Sequence, residues 1–396
     1  MPGHATKPGH TTREEPTIGG AQPWGAGDAP SSGEDHAAAP GTGGEPAVLT
    51  ELRQRVDAAL ATSLDLLLPR LDALHPSMGP LTAELRAFTS GGKRIRPALL
   101  LLGFQAAGGR ALTAVEGPAL ALELLHTCAL IHDDVIDQAP SRRGRASVHH
   151  AFSELHGEHS WRGDGDAYGR AVAILLGDLA FVQADELFLT ATVPERTLLA
   201  GFRHFTQLRE EVMAGQALDL HAATAGVTDR QLALQVARLK SGRYSVARPL
   251  ELGAVLAGAG PELVGQLHAF GDPLGQAFQL ADDLLGVFGD PDTTGKSTSS
   301  DLAEGKRTVL IAEAMARLDA DAAMELDANL GHGPLDAATA ARSRELLERS
   351  GARAATLATI EDRIAASRRA LDTLPVDPTA RDALAAMADY LGARSS

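Results

Sequence analysis

Residues 124–145, LLHTCALIHDDVIDQAPSRRGR, set three aspartates inside an apolar run and follow them with arginines. On a helix, positions i and i+4 stack on one face and i+1 lies beside them, so Asp133, Asp134 and Asp137 crowd within one turn. Three carboxylates so placed repel one another unless a cation joins them. Hard oxygen ligands suit Mg2+, which takes a few carboxylates and completes its shell with phosphate oxygens and water. The preceding turns, ALELLHTCALI, are apolar, which puts these acids at the rim of a core and not on a solvated helix end. A second pair, Asp282 and Asp283 in FQLADDLLGVFGD, again closes an apolar helix. Two such elements point to acids that face each other across a cavity and hold metal ions between them.

The basic residues are equally ordered. GGKRIRP presents Lys93, Arg94 and Arg96 after two glycines and ahead of a proline-started helix. Arg142 and Arg143 follow the first acidic helix, Lys240 sits in RLKSGRYS, Lys296 in DTTGKSTSS and Lys306 in AEGKRT. Glycine beside a cation allows close approach to phosphate oxygens, and guanidinium forks bind them bidentately. Interleaved with two acidic elements, these residues read as sites for two diphosphates, one held through metal and one by cations directly. His126 lies two turns before Asp133 on the same face, which favours a diphosphate contact over a core histidine. His149, His150, His156 and His159 have only loose metal spacing, without neighbouring acids or cysteine, and are not read as a metal site.

The elements that position these groups read as helices. Residues 1–47 contain 17 Gly or Pro and almost no large aliphatics, so they cannot offset their ordering entropy and are expected to be a disordered tail. From residue 48 the pattern is helical: Leu52, Val56, Leu60, Leu64, Leu67, Leu71 and Leu74 recur at helical spacing, with Thr50 able to cap the start. Thr113 and Glu116 make a capping box ahead of the first acidic helix. Further helices are predicted over 167–189, 194–222, 228–257, 261–288, 306–320, 335–350, 351–373 and 377–392. Polar loops are predicted near 138–147, 156–166 and 289–305. No Val/Ile/Thr alternation indicates strands. The expectation is one all-α domain, residues 48–396, a large helical bundle around an apolar cavity.

Composition narrows the function. The chain of 396 residues carries a formal charge of −15, which argues against a general nucleic-acid binder. Its single cysteine, Cys128, excludes an internal disulfide and a Cys-type zinc site. No signal-type apolar stretch opens the chain, and the richest apolar runs, PALLLLGFQAAGG and AVAILLGDLAFV, fall short of the roughly 20 residues that span a bilayer. A cytoplasmic protein without a transmembrane segment is expected.

Residues 48–392 resemble a trans-isoprenyl diphosphate synthase of the polyprenyl synthetase family. The matching elements are GGKRIRP, LLHTCALIHDDVID followed by SRRGR, GQALDL, LKSGRYS, FQLADDLLGVFGD and TGKSTSSDLAEGKRT. The resemblance implies that Asp133, Asp134 and Asp137 bind several Mg2+ ions that grip an allylic diphosphate, with Asp282 binding a further Mg2+ from the facing helix. It implies that Arg142, Lys240, Lys296 and Lys306 contact that diphosphate, with Ser241 also at the substrate. Lys93, Arg96, His126 and Arg143 would hold isopentenyl diphosphate, while Asp283 and Gln279 support metal and substrate. Lys240 and Gln279 are the residues expected to act at the reacting centre. Many relatives carry DDxxD at the second acidic element, whereas position 286 here is Gly. A homodimer is implied too.

The chemistry so implied needs no nucleophilic Ser or Cys. An allylic diphosphate ionises as cationic groups stabilise the departing charge. The double bond of isopentenyl diphosphate then attacks the carbocation and a proton is lost, the released diphosphate being the expected base. A dry apolar cavity keeps water from the cation. The growing chain is expected to run down the Asp133 helix past Cys128 and Ala129, both small, toward Leu125 or Leu122. Such an open pocket favours geranylgeranyl diphosphate, with a longer polyprenyl product second. A class I terpene cyclase fits less well, since it has no need of GGKRIRP as a second diphosphate site and the aromatic content is 4%. A non-catalytic subunit of a two-chain synthase would tolerate eroded motifs, and only position 286 departs.

Overall fold

The computed structural model describes residues 44–289, 300–333 and 335–393. The expected tail therefore lies almost wholly outside the described residues, as does Lys296. The described chain is a bundle of helices. They are α1 (Ala47–Asp72), α2 (Gly79–Thr89), α3 (Ile95–Ala106), α4 (Glu116–Ile136), α5 (Val148–Glu158), α6 (Gly165–Phe188), α7 (Glu195–Ala225) and α8 (Arg230–Val236). A π-helical segment, Ala237–Ala247, joins α8 to α9 (Arg248–Leu256), and α10 (Pro261–Phe288) follows. Six shorter or outer helices complete the chain: α11 (Ser300–Ala303), α12 (Val309–Met315), α13 (Ala320–Ala328), α14 (Ala337–Arg349), α15 (Ala352–Asp372) and α16 (Pro378–Gly392).

Helix α4 is the axis of the bundle. It packs along α6 and beside α3, and Leu120, Leu122, Leu124, Leu125 and Ile131 are all buried. The segment Leu112–Ile136 is long and apolar enough to cross a bilayer, contrary to the expectation that no run is. Its apolar surface is taken up by the protein core, where 72% of the most apolar window is buried. A second apolar cluster gathers α8, the C-terminal half of α10 and α11 to α15.

Local signals placed several helix starts differently from tertiary packing. Helix α1 starts at Ala47 after Pro46, so Thr50 lies inside its first turn and does not cap it. The box of Thr113 and Glu116 does not form: Leu112–Val115 is a 3-10 turn, and α4 starts at Glu116 with no side-chain cap. Burial of Val115 in the core sets that start instead. The predicted helix over 306–320 is shorter, capped by Thr308 through Ile311 N, and α13 follows it behind an Asp319 cap.

The expected loop at 138–147 holds a small hairpin, Ser141–Arg142 paired antiparallel with Arg145–Ala146. Arg143 and Gly144 form its tip with φ of 51° and 73°. A two-residue hairpin tip with positive φ at both central positions suits Gly but strains Arg. Two residues per strand are too few to show alternation in sequence. The tip nevertheless separates Arg142 from Arg143 and sends them to different partners.

Candidate active site

The rim acids of α4 divide into two roles. Asp134 is buried, 1% exposed at its side chain, and accepts the Nε–H of Arg142 at 2.7 and 2.8 Å and the Nη2–H at 2.6 Å. The structure thus gives Asp134 and Arg142 to each other, fixing the hairpin on α4, where sequence reasoning gave the first to metal and the second to diphosphate. Asp133 turns toward α7 and the π segment. It accepts Gln216 Nε2 at 3.0 Å and lies 3.7 Å from Lys240 Nζ. Lys240 itself is held by Asp219, 2.6 Å away. Gln216 and Asp219 were not assigned from sequence, although GQALDL contains both. Polar residues on the inner face of a long helix were the available signal.

The π segment is what brings Lys240 there. Such wide turns are rare and concentrate at functional sites. A Cβ on Gly215 would lie 2.4 Å from Lys240 N, and a Cβ on Gly275 would lie 2.2 Å from Gly242 O, so the segment presses between α7 and α10 where only glycine fits. Ion pairs lock its outer side. Asp272 binds Arg238 and Arg243 at 2.9 and 3.0 Å, and Glu211 joins Arg243 and Arg248. Ser241 lies half-buried within the segment.

Asp137 and the second acidic element meet through the segment after α10. Burial first, then Asp133, pushes Asp137 up to about 7, against the pull of Lys306 and Lys240. Asp283 is buried and accepts Gln279 Nε2 at 2.6 Å. Burial, then Asp301, pushes it up to about 8. Asp282 is the exposed member of that pair. Lys306 lies within the field of both banks. It pairs with Asp301 at 3.0 Å and Glu304 at 2.5 Å, and although burial opposes its charge these acids and Asp137 hold the amine well above its usual range. Asp301 and Glu304 are further residues that sequence reasoning quoted within TGKSTSSDLAEGKRT without assigning.

A cationic cluster adjoins this acidic rim. Of the three cations in GGKRIRP, Arg94 turns inward to Glu123 at 2.5 Å and Asp57 at 2.8 Å and is structural. Lys93 stays exposed at the turn before α3. Arg96 donates to Ser245 Oγ at 2.7 Å and lies 4.5 Å over the Tyr244 ring, so the π segment also shapes this cluster. Arg143 comes over Gly92, where an added Cβ would lie 3.6 Å from its Nη2. Burial first, then Arg96, Arg143, Arg142 and Arg94, holds His126 well below its usual range, so its imidazole is neutral. Arg96 Nε, His126 Nδ1 and Tyr244 OH are buried with no hydrogen-bond partner among the described residues. Unsatisfied buried donors amid like charges are costly, and an anion with several acceptor oxygens resolves both costs.

These residues also fit a hard divalent cation. Among the described residues no three acidic, His or Cys side chains converge on one point. Mg2+ does not require that, since it binds through one or two carboxylates and keeps waters and phosphate oxygens. Burial first, then neighbouring acids, raises the carboxyls of Asp137 and Asp283 to about 7 and about 8, and a divalent ion would favour their charged forms. The histidine cluster is structural instead: His156 Nε2 bonds Arg162 O at 3.2 Å, His159 Nδ1 bonds Leu155 O at 3.0 Å, and His149 packs on His150.

The residues expected to line a pocket below Asp133 are packed to different degrees. Cys128 is buried with Sγ 3.7 Å from His132 Nδ1, whose ring in turn fills the space beside Gly177 of α6. Burial pushes the Cys128 thiol up to about 12, so it is inert. Leu125 and Leu122 belong to the packed core, and Ala129 is half-buried.

A helical bundle that sets an acidic rim beside a cluster of half-buried and exposed guanidinium groups, Arg96 and Arg143, has the means to handle two polyanions above an apolar interior. Comparison with known proteins agrees. The polyprenyl synthetase model matches residues 81–347. A short chain isoprenyl diphosphate synthase of Methanothermobacter thermautotrophicus is 33% identical, over 81% of this chain and 94% of its own. A (2E,6E)-farnesyl diphosphate synthase of Mycobacterium bovis is 33% identical, over 65% of this chain and 70% of its own. Among solved structures, a geranylgeranyl pyrophosphate synthase of Corynebacterium glutamicum complexed with isoprenyl diphosphate and magnesium superposes with a TM-score of 0.84 at 35% identity, covering 87% of this chain and 99% of that one. The chain belongs to the polyprenyl synthetase family. It is an isoprenyl diphosphate synthase, an enzyme that transfers prenyl groups.

Proposed function

We propose that this prenyltransferase joins isopentenyl diphosphate to an allylic diphosphate in a Mg2+-dependent reaction whose main product is geranylgeranyl diphosphate. The observation that carries the two-diphosphate reading is the pairing of sites of opposite need. One rim holds acids pushed up to about 7 and 8, and the adjoining cluster holds buried polar atoms without a partner among the described residues. Asp133 and Asp137 on α4 and Asp282 on α10 are the residues to hold Mg2+. When bound, the ion supplies charge neutralisation to the departing diphosphate. Lys240, oriented by Asp219, and Lys306 add fixed positive charge at the same rim.

The second diphosphate belongs with Lys93, Arg96, Arg143 and neutral His126. Arg96 is aimed by Ser245 and the Tyr244 ring, and the π segment that carries these also carries Lys240. One rigid element thereby sets the distance between the two substrates. The allylic C–O bond breaks and its electron pair leaves with the diphosphate. The isopentenyl double bond then forms the new C–C bond, and the proton lost next goes to a diphosphate oxygen. The apolar flank of α4 below keeps water away from the cation. A terpene cyclase has no use for the second cage.

Product length rests on Ala129, small and half-buried one turn below Asp133. Incubation with isopentenyl diphosphate, Mg2+ and dimethylallyl, geranyl or farnesyl diphosphate in turn, followed by mass analysis of the products, tests the proposal. A twenty-carbon product from each starter is expected. A main product of fifteen carbons overturns the length, and no elongation of any starter overturns the reaction.

We further propose that the enzyme works as a homodimer through α6 and α7. Leu175 and Val182 on α6, and Met213 and Leu220 on α7, are large apolar side chains more than half exposed and spaced seven residues apart on each helix. Two turns of apolar side chains on neighbouring helices suit a second copy of the same surface. Sedimentation at micromolar concentration should give a dimer, and Leu175→Glu should shift it to monomer.

A further inference from the structure

We infer that Arg238, Arg243 and Arg248, clasped in succession by Asp272 and Glu211, hold the π register of Ala237–Ala247 and thereby position Lys240 and Ser245 together. The inference rests on the reading of the two diphosphate sites that Lys240 and Ser245 serve. The three arginines recur at every fifth residue. In an α-helix five residues advance about 140° past a full turn, so groups at that spacing diverge. A π turn instead bonds residue i to i+5 and brings the two to one side. The backbone does this where the segment ends, with Arg248 N donating to Arg243 O.

One carboxylate bridges each step of that period. Asp272 on α10 accepts Arg238 Nε at 2.9 and 3.1 Å and Arg243 Nε at 3.0 Å. Glu211 on α7 accepts Arg243 Nη1 at 3.0 Å and Arg248 Nε at 2.9 Å. Arg243 is the shared member, giving its two donors to acids on two different helices. Although burial opposes their charge, the guanidinium groups hold the Asp272 and Glu211 carboxyls below the usual range. Lys240 and Ser245 have the same five-residue spacing. Lys240 Nζ lies 2.6 Å from Asp219 and 3.7 Å from Asp133, and Ser245 Oγ accepts Arg96 Nη2 at 2.7 Å. A return of the segment to α spacing would break both clasps and turn Lys240 and Ser245 apart.

Hydrogen exchange of the full chain, read peptide by peptide by mass spectrometry, and steady-state kinetics with geranyl diphosphate, isopentenyl diphosphate and Mg2+ test this. Arg243→Lys keeps the charge but has no fork to reach both acids, and Asp272→Asn removes one clasp. In each, exchange across Ala237–Ala247 should quicken by about 10- to 100-fold, as for loss of a hydrogen bond to a charged group. Helices α4 and α6 should exchange as in the parent. Turnover should fall on the order of 100-fold, the cost of about 1 Å of misplacement, with KM rising for both diphosphates. Glu211→Gln, which removes the other clasp, replaces either variant that fails to fold. Lys240→Met is the control and should lose turnover while keeping parental exchange. If the clasp variants match the parent in exchange or in kinetics, the positioning role is overturned. Exchange that quickens throughout the bundle assigns the arginines to general stability and overturns it too. If Lys240→Met turns over as the parent does, the reading of Lys240 falls, and this inference with it.

Discussion

Asp134→Asn separates a structural acid from a ligand. In sequence Asp134 is indistinguishable from its neighbour Asp133, but in the fold it is buried and takes three short contacts of 2.6 to 2.8 Å from Arg142. Removing one partner of a buried pair costs about 3–5 kcal/mol, because the remaining charge stays desolvated. Here the lower end applies: asparagine keeps the shape and one acceptor, and Arg142 is 17% exposed with Asp133 3.7 Å away. A loss of about 3 kcal/mol corresponds to a melting temperature lower by roughly 6–12 °C for a domain of 150–250 residues and somewhat less for a longer one. Binding of Mn2+ with diphosphate should survive in the folded variant, whereas Asp133→Asn should melt near the parent and lose it. Scanning calorimetry and metal binding on both variants check this. A melting point for Asp134→Asn within a degree of the parent, or a metal loss equal to that of Asp133→Asn, refutes the division of roles.

Between about pH 5 and pH 8 the metal-free protein should become less stable as pH rises. Asp137 at about 7 and Asp283 at about 8 hold protons in the folded state that the unfolded chain, near 3.8, has already lost. Mg2+ should flatten that slope, and a melting temperature that rises over this range in chelator would contradict the assignment. Gly275→Ala should destabilise by about 1–3 kcal/mol through overpacking against Gly242, and should lower kcat by shifting the segment that carries Lys240 and Ser245. A melting point and kcat both unchanged would show that the segment is not wedged as described. Ala129→Phe should shorten the main product while short starters still ionise. An unchanged product distribution would place the growing chain elsewhere.

Much of the helical framework and of the candidate site's acids was legible because it is local. Asp133, Asp137 and Asp282 stood out as acids terminating apolar helices, and the helices themselves showed in leucine spacing, since both patterns are set within a few turns of chain. The cations were legible as a set, but their individual roles were not. Lys93, Arg94 and Arg96 are near neighbours of similar type; the resemblance left Arg94 out of the substrate set, and its ion pairs with Asp57 and Glu123 give the physical reason.

What the sequence by itself determined is the inventory: all-helical elements, two acidic ends, and cations between glycines. What only the tertiary structure decided is which of these groups neutralise one another and which are left in need. Asp134 and Arg142, eight residues apart, are brought together by a hairpin tip with positive φ, while Lys240 meets Asp219 and Asp133 because the chain widens into a π turn between two glycines. Asp301 comes against Gly286 because the chain returns over α10. Charge pairing depends on distances across helices, and such distances are set by burial of the whole core, which no short stretch of sequence contains.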